Sequence, residues 1–232
     1  MRKIGFIGAY DKTDLILYLA RILSASGKKI LFIDSTITQK AKYVVPEISP
    51  VKSYVTNFEN IDVAVGFEDY FGIKEYLGMP PHADLGYDYA FLDIDDAQKL
   101  ESFQIDPNDV NYFVTSFDLY SLKRGLEVLS NLKDKLKLTK VLFTREALQE
   151  EDDYLNFLSM GYKIEWSDDI VYFPLEVGDQ SVTIENQRVS RIKYKKLSLQ
   201  YRDNLLYMLE QIVGDKEYST VKKVYKQLER GF

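Results

Sequence analysis

Residues 3 to 14 read Lys3-Ile4-Gly5-Phe6-Ile7-Gly8-Ala9-Tyr10-Asp11-Lys12-Thr13-Asp14. A short apolar run closes on Gly8, and Leu15, Ile16, Leu19, Ile22 and Leu23 then follow at helical spacing over residues 13 to 26. The order is strand, turn, helix. After a helix stop at Gly27, residues 28 to 34 (Lys28-Lys29-Ile30-Leu31-Phe32-Ile33-Asp34) form a second run. Its unbroken apolar character suits a parallel strand covered on both faces. The opening is therefore a βαβ unit.

Similar runs end at Asp93, near Thr115 and at Thr144, with helical patterns at 119 to 135 and 147 to 160 between them. This alternation predicts an α/β fold, a doubly wound and mainly parallel sheet flanked by helices. Residues 36 to 86, with Pro46, Pro50, Pro80 and Pro81 among scattered aromatic residues, read as an insertion around an edge strand. Residues 170 to 174 read as a late strand, 197 to 213 as a helix and 217 to 230 as a last helix. We expect one α/β domain over 1 to 214 and a helical tail over 215 to 232.

Composition narrows the function. The chain has 232 residues, 46% hydrophobic and 28% charged, with 12 Gly, 6 Pro and no Cys. Disordered, collagen-like and disulfide-stapled classes are excluded. Thiolate zinc sites and thiol catalysis need cysteine, and one histidine, His82, does not make a His-based metal cluster or a serine triad. The net charge of -6 means that any nucleic-acid contact needs a local basic patch. No apolar run approaches the ~18 residues of a membrane span, so a cytoplasmic protein is expected.

The turn from Gly8 to Asp14 stands where phosphate-binding loops place glycines, a lysine and a hydroxyl. It resembles the deviant Walker A loop of the ParA/MinD family of P-loop ATPases, Lys-Gly-Gly-x-Gly-Lys-[Ser/Thr]-Thr. Gly8, Lys12 and Thr13 match that pattern. Ile7 stands at the family's signature lysine, Ala9 and Asp11 replace glycines, and Asp14 replaces the last threonine. Further features follow in the family's order. Asp34 and Thr36 are similar to its Asp-x-Asp switch, with the second carboxylate replaced. Asp93, ending Tyr89 to Asp93, resembles the Walker B carboxylate, without the proline that follows it in the family. Thr144-Arg145 resembles the Asn-Arg adenine contact, and Phe173-Pro174-Leu175 the segment lining the base pocket.

The resemblance implies a P-loop NTPase-like fold binding ATP or ADP with Mg²⁺. The nucleotide would lie on Gly8, Ala9, Asp11, Lys12, Thr13, Asp14, Asp34, Asp93, Thr144, Arg145 and Pro174, and the metal on Thr13, Asp34 and Asp93. Asp11 works against this. One added negative charge about 4 Å from a phosphate costs roughly 4 kcal/mol at an effective dielectric near 20, about a thousandfold in affinity. Asp11 also reads as an N-cap with Asp14 in the first turn, so the loop fills its own anion hole. Asp93, Asp95 and Asp96 form either a metal-facing cluster or a solvated strand end.

Two other segments bear on partners. Arg188, Arg191, Lys193, Lys195, Lys196 and Arg202 make a basic strip, which reads either as a DNA-binding patch or as a solvated face balancing the acidic run from Glu150 to Asp153. Val221, Val224, Tyr225 and Leu228 form an apolar stripe ringed by lysines, ahead of Phe232. That stripe lies on a membrane surface, on the body or on a second subunit. The expected function is a degenerate ParA/MinD-like pseudo-ATPase that positions or assembles a protein partner or homodimer, similar to atypical members such as TadZ-like proteins, which carry an added N-terminal receiver-like domain. The alternatives are a slow Mg-ATPase dimer switch and a nucleotide-independent DNA-binding protein.

Overall fold

The structure is a computed structural model that describes residues 1 to 46, 51 to 146 and 148 to 231. Pro50, the first residue of the expected 147 to 160 helix, and Phe232 lie outside the described residues. The strands are β1 (Arg2–Ile7), β2 (Ile30–Asp34), β3 (Tyr54–Phe58), β4 (Ile61–Val65), β5 (Tyr89–Ile94), β6 (Val110–Ser116), β7 (Leu136–Thr144) and β8 (Ile164–Pro174). They join one sheet in the order β3-β4-β2-β5-β1-β6-β7-β8, parallel throughout except where β3 meets β4. The expected doubly wound fold is the one observed.

The helices are α1 (Thr13–Ala25), α2 (Ala41–Val44), α3 (Tyr70–Tyr76), α4 (Ala97–Ser102), α5 (Leu119–Val128), α6 (Gln149–Leu158), α7 (Val177–Val189), α8 (Leu199–Val213) and α9 (Asp215–Arg230). Strand side chains alternate between two cores. Phe6, Phe32, Phe91 and Tyr112 face α1, α8 and α9, whereas Ile7, Ile33, Leu92 and Phe113 face α4, α5 and α6. Every residue of β2 and β5 is buried, as continuous apolar runs in a parallel sheet require.

Several elements differ from the sequence expectation. Within 36 to 86, β4 is an internal strand parallel to β2, and only β3 is an edge. The two are joined at Glu59 and Asn60, both with positive φ (53° and 62°), which gives a tight hairpin turn without glycine. The helix expected over 119 to 135 ends at Val128. β8 begins at Ile164, before the expected 170, and its Ser167-Asp168-Asp169 polar run falls where the register with β7 shifts. Charge on an edge strand protects it from pairing with another chain. α7 has no counterpart in the sequence reading, because most of its apolar residues face outward, Val177 at 77% and Ile184 at 57% exposure.

Candidate functional site

β1 lies between β5 and β6, the point where the chain's crossovers reverse direction across the sheet, and the loop after β1 opens there. Gly8 has φ +135°, and a β-carbon on it would stand 2.4 Å from the Val114 carbonyl oxygen on β6. Only glycine lets the loop pass so close to the neighbouring strand. α1 begins at Thr13 with Lys12 in the N-cap position and no side-chain cap there. Asp11, expected as the N-cap, sits one residue earlier. It still supplies an acceptor, since the Thr13 N–H donates to its Oδ1 at 3.2 Å. Asp14 does not cap the backbone and instead accepts from Lys40 and Gln187.

Lys12 turns back into its own loop. Its ammonium donates to the Gly8 carbonyl at 2.8 Å and lies 2.6 Å from Asp93 Oδ1, and the residue is 2% exposed. The Thr13 hydroxyl reaches Asp93 Oδ2 at 3.5 Å. Asp34 ends β2 directly opposite Asp93 on β5. Its carboxylate is occupied within the fold, accepting from the Thr36 hydroxyl at 2.6 Å, the Thr36 N–H at 3.1 Å and the Ala41 N–H at 2.8 Å. The short α2 is thus tied to the end of β2.

Burial pushes the Asp93 carboxyl up to about 7, with neighbouring Asp34 adding to the rise and the Lys12 ammonium opposing it. An unfolded aspartate titrates near 3.8. Between those values the folded chain holds a proton that the unfolded chain has released, so stability falls as pH rises from about 4 to about 7. Asp93→Asn is expected to flatten most of that slope, read as urea midpoints at pH 5 and pH 8. Asp95, also raised chiefly by burial, leaves a residue of the same sign. A slope unchanged by Asp93→Asn would show that the carboxyl titrates as in water.

Two clefts meet over this loop. One, of 530 Å³, is lined by Ala9, Asp11, Lys12, Thr13, Asp93, Asp95 and Arg124 among others, with Tyr120 and Tyr43 at its edge. The other, of 360 Å³, has Leu15, Phe143, Pro174, Leu175 and Tyr201 in its wall. Tyr10, Asp11 and Lys40 line both. Tyr10 stacks on Phe143, which stacks on Phe173, at centroid distances of 4.8 and 5.2 Å.

Ala9, Asp11, Lys12, Thr13 and Asp93 are therefore brought together, and Pro174 stands in the adjoining cleft. Thr144 uses its hydroxyl on the Glu146 backbone, and Arg145 is exposed outside both cleft walls. Asp96 leaves the acidic cluster to cap α4 through the Gln98 N–H, and Asp95 accepts from the Ile37 N–H. Among the described residues no three acidic or histidine side chains converge as a metal cage. Lys40 and Arg124 are the cleft cations that the sequence reading did not single out, because neither has a motif spacing to the loop.

The basic strip is partly neutralised, with Lys193 and Lys196 paired to Glu185 and Arg202 to Glu229. The apolar stripe of α9 rests on the body: Val221 and Tyr225 are 1% and 2% exposed, and Tyr225 packs edge-on to Tyr194. Among the described residues no helix is long and apolar enough to cross a membrane.

No protein-family description matches the sequence, and no curated protein does. Similar solved structures are ParA and MinD proteins and a plasmid partition protein. The chain is similar to the plasmid partition protein of Borrelia burgdorferi B31 bound to AMPPNP, at 14% identity over 97% of each chain with a TM-score of 0.49. It is similar to a chain of the MinC:MinD cell division protein complex of Aquifex aeolicus, at 11% identity over 100% of this chain and 97% of that one, TM-score 0.49. It is also similar to pNOB8 ParA bound to nonspecific DNA, at 10% identity over 100% and 99%, TM-score 0.41.

Proposed function

We propose that this chain is a ParA/MinD-like pseudo-ATPase, a phosphate-loop protein that holds a partner instead of turning over nucleotide. The observation that carries this reading is the position of Lys12. Its buried ammonium is shared between the Gly8 carbonyl and Asp93 within the protein. A phosphate would have to draw it away from both. Asp11 adds to the block, because its carboxylate already occupies the first N–H of α1. Thr36, at the position of the lost second switch carboxylate, offers in place of that base a hydroxyl already donated to Asp34. The nucleotide, where it bound, would lie with its phosphates against Lys12 and Thr13 and its base toward Phe143 and Pro174. Mg²⁺ would meet Thr13 and Asp93, with Asp34 available only after α2 is released.

The exposed apolar rim supports a protein partner. Ile37, Tyr43 and Tyr120 are 65%, 78% and 70% exposed around one cleft, and clustered apolar exposure of this kind marks interaction surfaces. The paired lysines of the basic strip and the docked stripe of α9 favour solvated and structural roles for those segments over DNA and membrane contact.

Calorimetry with ATP and ADP plus Mg²⁺ tests the reading. The natural protein is expected to bind with Kd above about 1 mM. Asp11→Asn keeps an acceptor for Thr13 and removes the charge, and is expected to tighten binding by roughly ten- to a hundredfold. That is less than a bare carboxylate implies, because Lys40 already answers part of its charge. Lys12→Ala in that background abolishes the gain. Micromolar binding by the natural protein, lost in Lys12→Ala, would instead support the ATPase switch.

A further inference from the structure

Lys40, at the mouth shared by the two clefts, stands out from the rest of the molecule. Its ammonium lies 2.5 Å from Asp11 Oδ2 and 2.6 Å from Asp14 Oδ2, with the side chain 29% exposed. Burial disfavours its charge, yet Asp14 and Asp11 outweigh that and raise its pKa. The two carboxylates therefore hold a charged ammonium at the cleft mouth.

Asp11 is held as a bound oxyanion is held. One carboxylate oxygen accepts from the Thr13 N–H at the start of α1, and the other meets the Lys40 ammonium. The side chain is 52% exposed, so water and solutes reach the carboxylate and the edge of the Lys40 ammonium. Below it, on the floor of the cleft, Asp93 is buried and its Oδ1 is paired with the Lys12 ammonium at 2.6 Å. Asp11, Asp14 and Lys40 together carry one net negative charge at the junction of the two clefts.

We propose that Lys40 is a phosphate-binding residue masked by Asp11, so that once the Asp11 charge is removed a phosphate group takes the place of the carboxylate against Lys40 and the Thr13 N–H. This deepens the reading above and rests on its assignment of the cleft to phosphates. Lys40 would then select ligands that place an anion at the junction, polyphosphates and nucleotides, over uncharged nucleosides.

The test uses the full chain carrying Asp11→Asn, with inorganic tripolyphosphate and Mg-ATP as probes in calorimetry. Adding Lys40→Ala is expected to weaken both by about ten- to a hundredfold, the worth of a charge-assisted hydrogen bond. Lys40→Arg keeps most of the affinity. Asp14→Asn, which frees the ammonium from its other partner, tightens binding more when Lys40 is present than when it is Ala. If Lys40→Ala binds both probes equally well or better, Lys40 is only a latch and the proposal fails while the cleft assignment stands. If Asp11→Asn binds neither probe, the cleft assignment itself fails and takes this proposal with it. Lys40→Gln, of similar length, serves in place of Lys40→Ala should the smaller side chain disturb α2.

Discussion

Lys12→Met is expected to destabilise the protein by about 3 kcal/mol at pH 8 and by clearly less at pH 6. The variant removes one half of a buried ion pair and leaves Asp93, 1% exposed, with the Thr13 hydroxyl at 3.5 Å as its remaining side-chain partner. A buried carboxylate without a cation takes up a proton, and the loss of Lys12 removes the one strong influence that holds Asp93 down. At pH 6 the carboxyl is neutral in the variant and the penalty is small. At pH 8 the fold must either hold the proton against the solvent or bury the charge, and both cost stability. For a chain of this size 3 kcal/mol corresponds to roughly 6 to 12 °C in Tm. Urea unfolding at the two pH values reads the effect, and Asp93→Asn added to Lys12→Met is expected to recover at least half the loss at pH 8. A loss below about 1 kcal/mol at both pH values would show that Lys12 and Asp93 are not a buried pair, and would remove the main support for a self-filled loop.

That pair also shows what a sequence discloses. β1, β2, β5, β6 and β7 are legible because parallel strands covered on both faces need apolar runs, and all but the β1 run, which closes on Gly8, end on a polar residue at the sheet's carboxyl edge, as at Asp34 and Asp93. Gly8, Lys12, Thr13 and Asp93 converge because the loop after the first strand must pass the switch point, a consequence of topology that the strand order predicts. The β3–β4 hairpin is hidden, since Glu59-Asn60 adopts positive φ with none of the usual turn glycine. α7 is hidden because its buried face joins Val182 to the polar Asp179 and Asn186, while Val177 and Ile184 point outward. Lys40 was out of reach for another reason: its partners lie 29 and 26 residues away, and only the fold makes them neighbours. The same holds for Asp34, whose carboxylate is spent on Thr36 and on the start of α2.

The second buried lysine separates stability from binding. Lys140 on β7, 3% exposed, lies 2.6 Å from Asp152 Oδ1 and 2.7 Å from Asn156 Oδ1 on α6, with its ammonium 5.2 Å from the centre of the Trp166 ring. Neither residue lines the two clefts over the loop. Asp152→Ala is expected to cost about 3 to 5 kcal/mol, because it strands an ammonium among apolar neighbours with one amide oxygen for company. The chain's single tryptophan is the adjacent ring, so its fluorescence reports the loss directly in urea titrations. Replacing both Lys140 and Asp152 by leucine is expected to return the protein to within about 1 kcal/mol of its original stability, since desolvation of a buried pair consumes most of its attraction. A double variant as unstable as Asp152→Ala would mean that the pair contributes more than it costs. In the Asp11→Asn background the two lysines then part company: the double-leucine variant at 140 and 152 keeps ATP binding, whereas Lys12→Met with Asp93→Asn regains stability and loses it. Equal burial and equal pairing distances thus conceal different roles, and the open cleft above Lys12 is what distinguishes them.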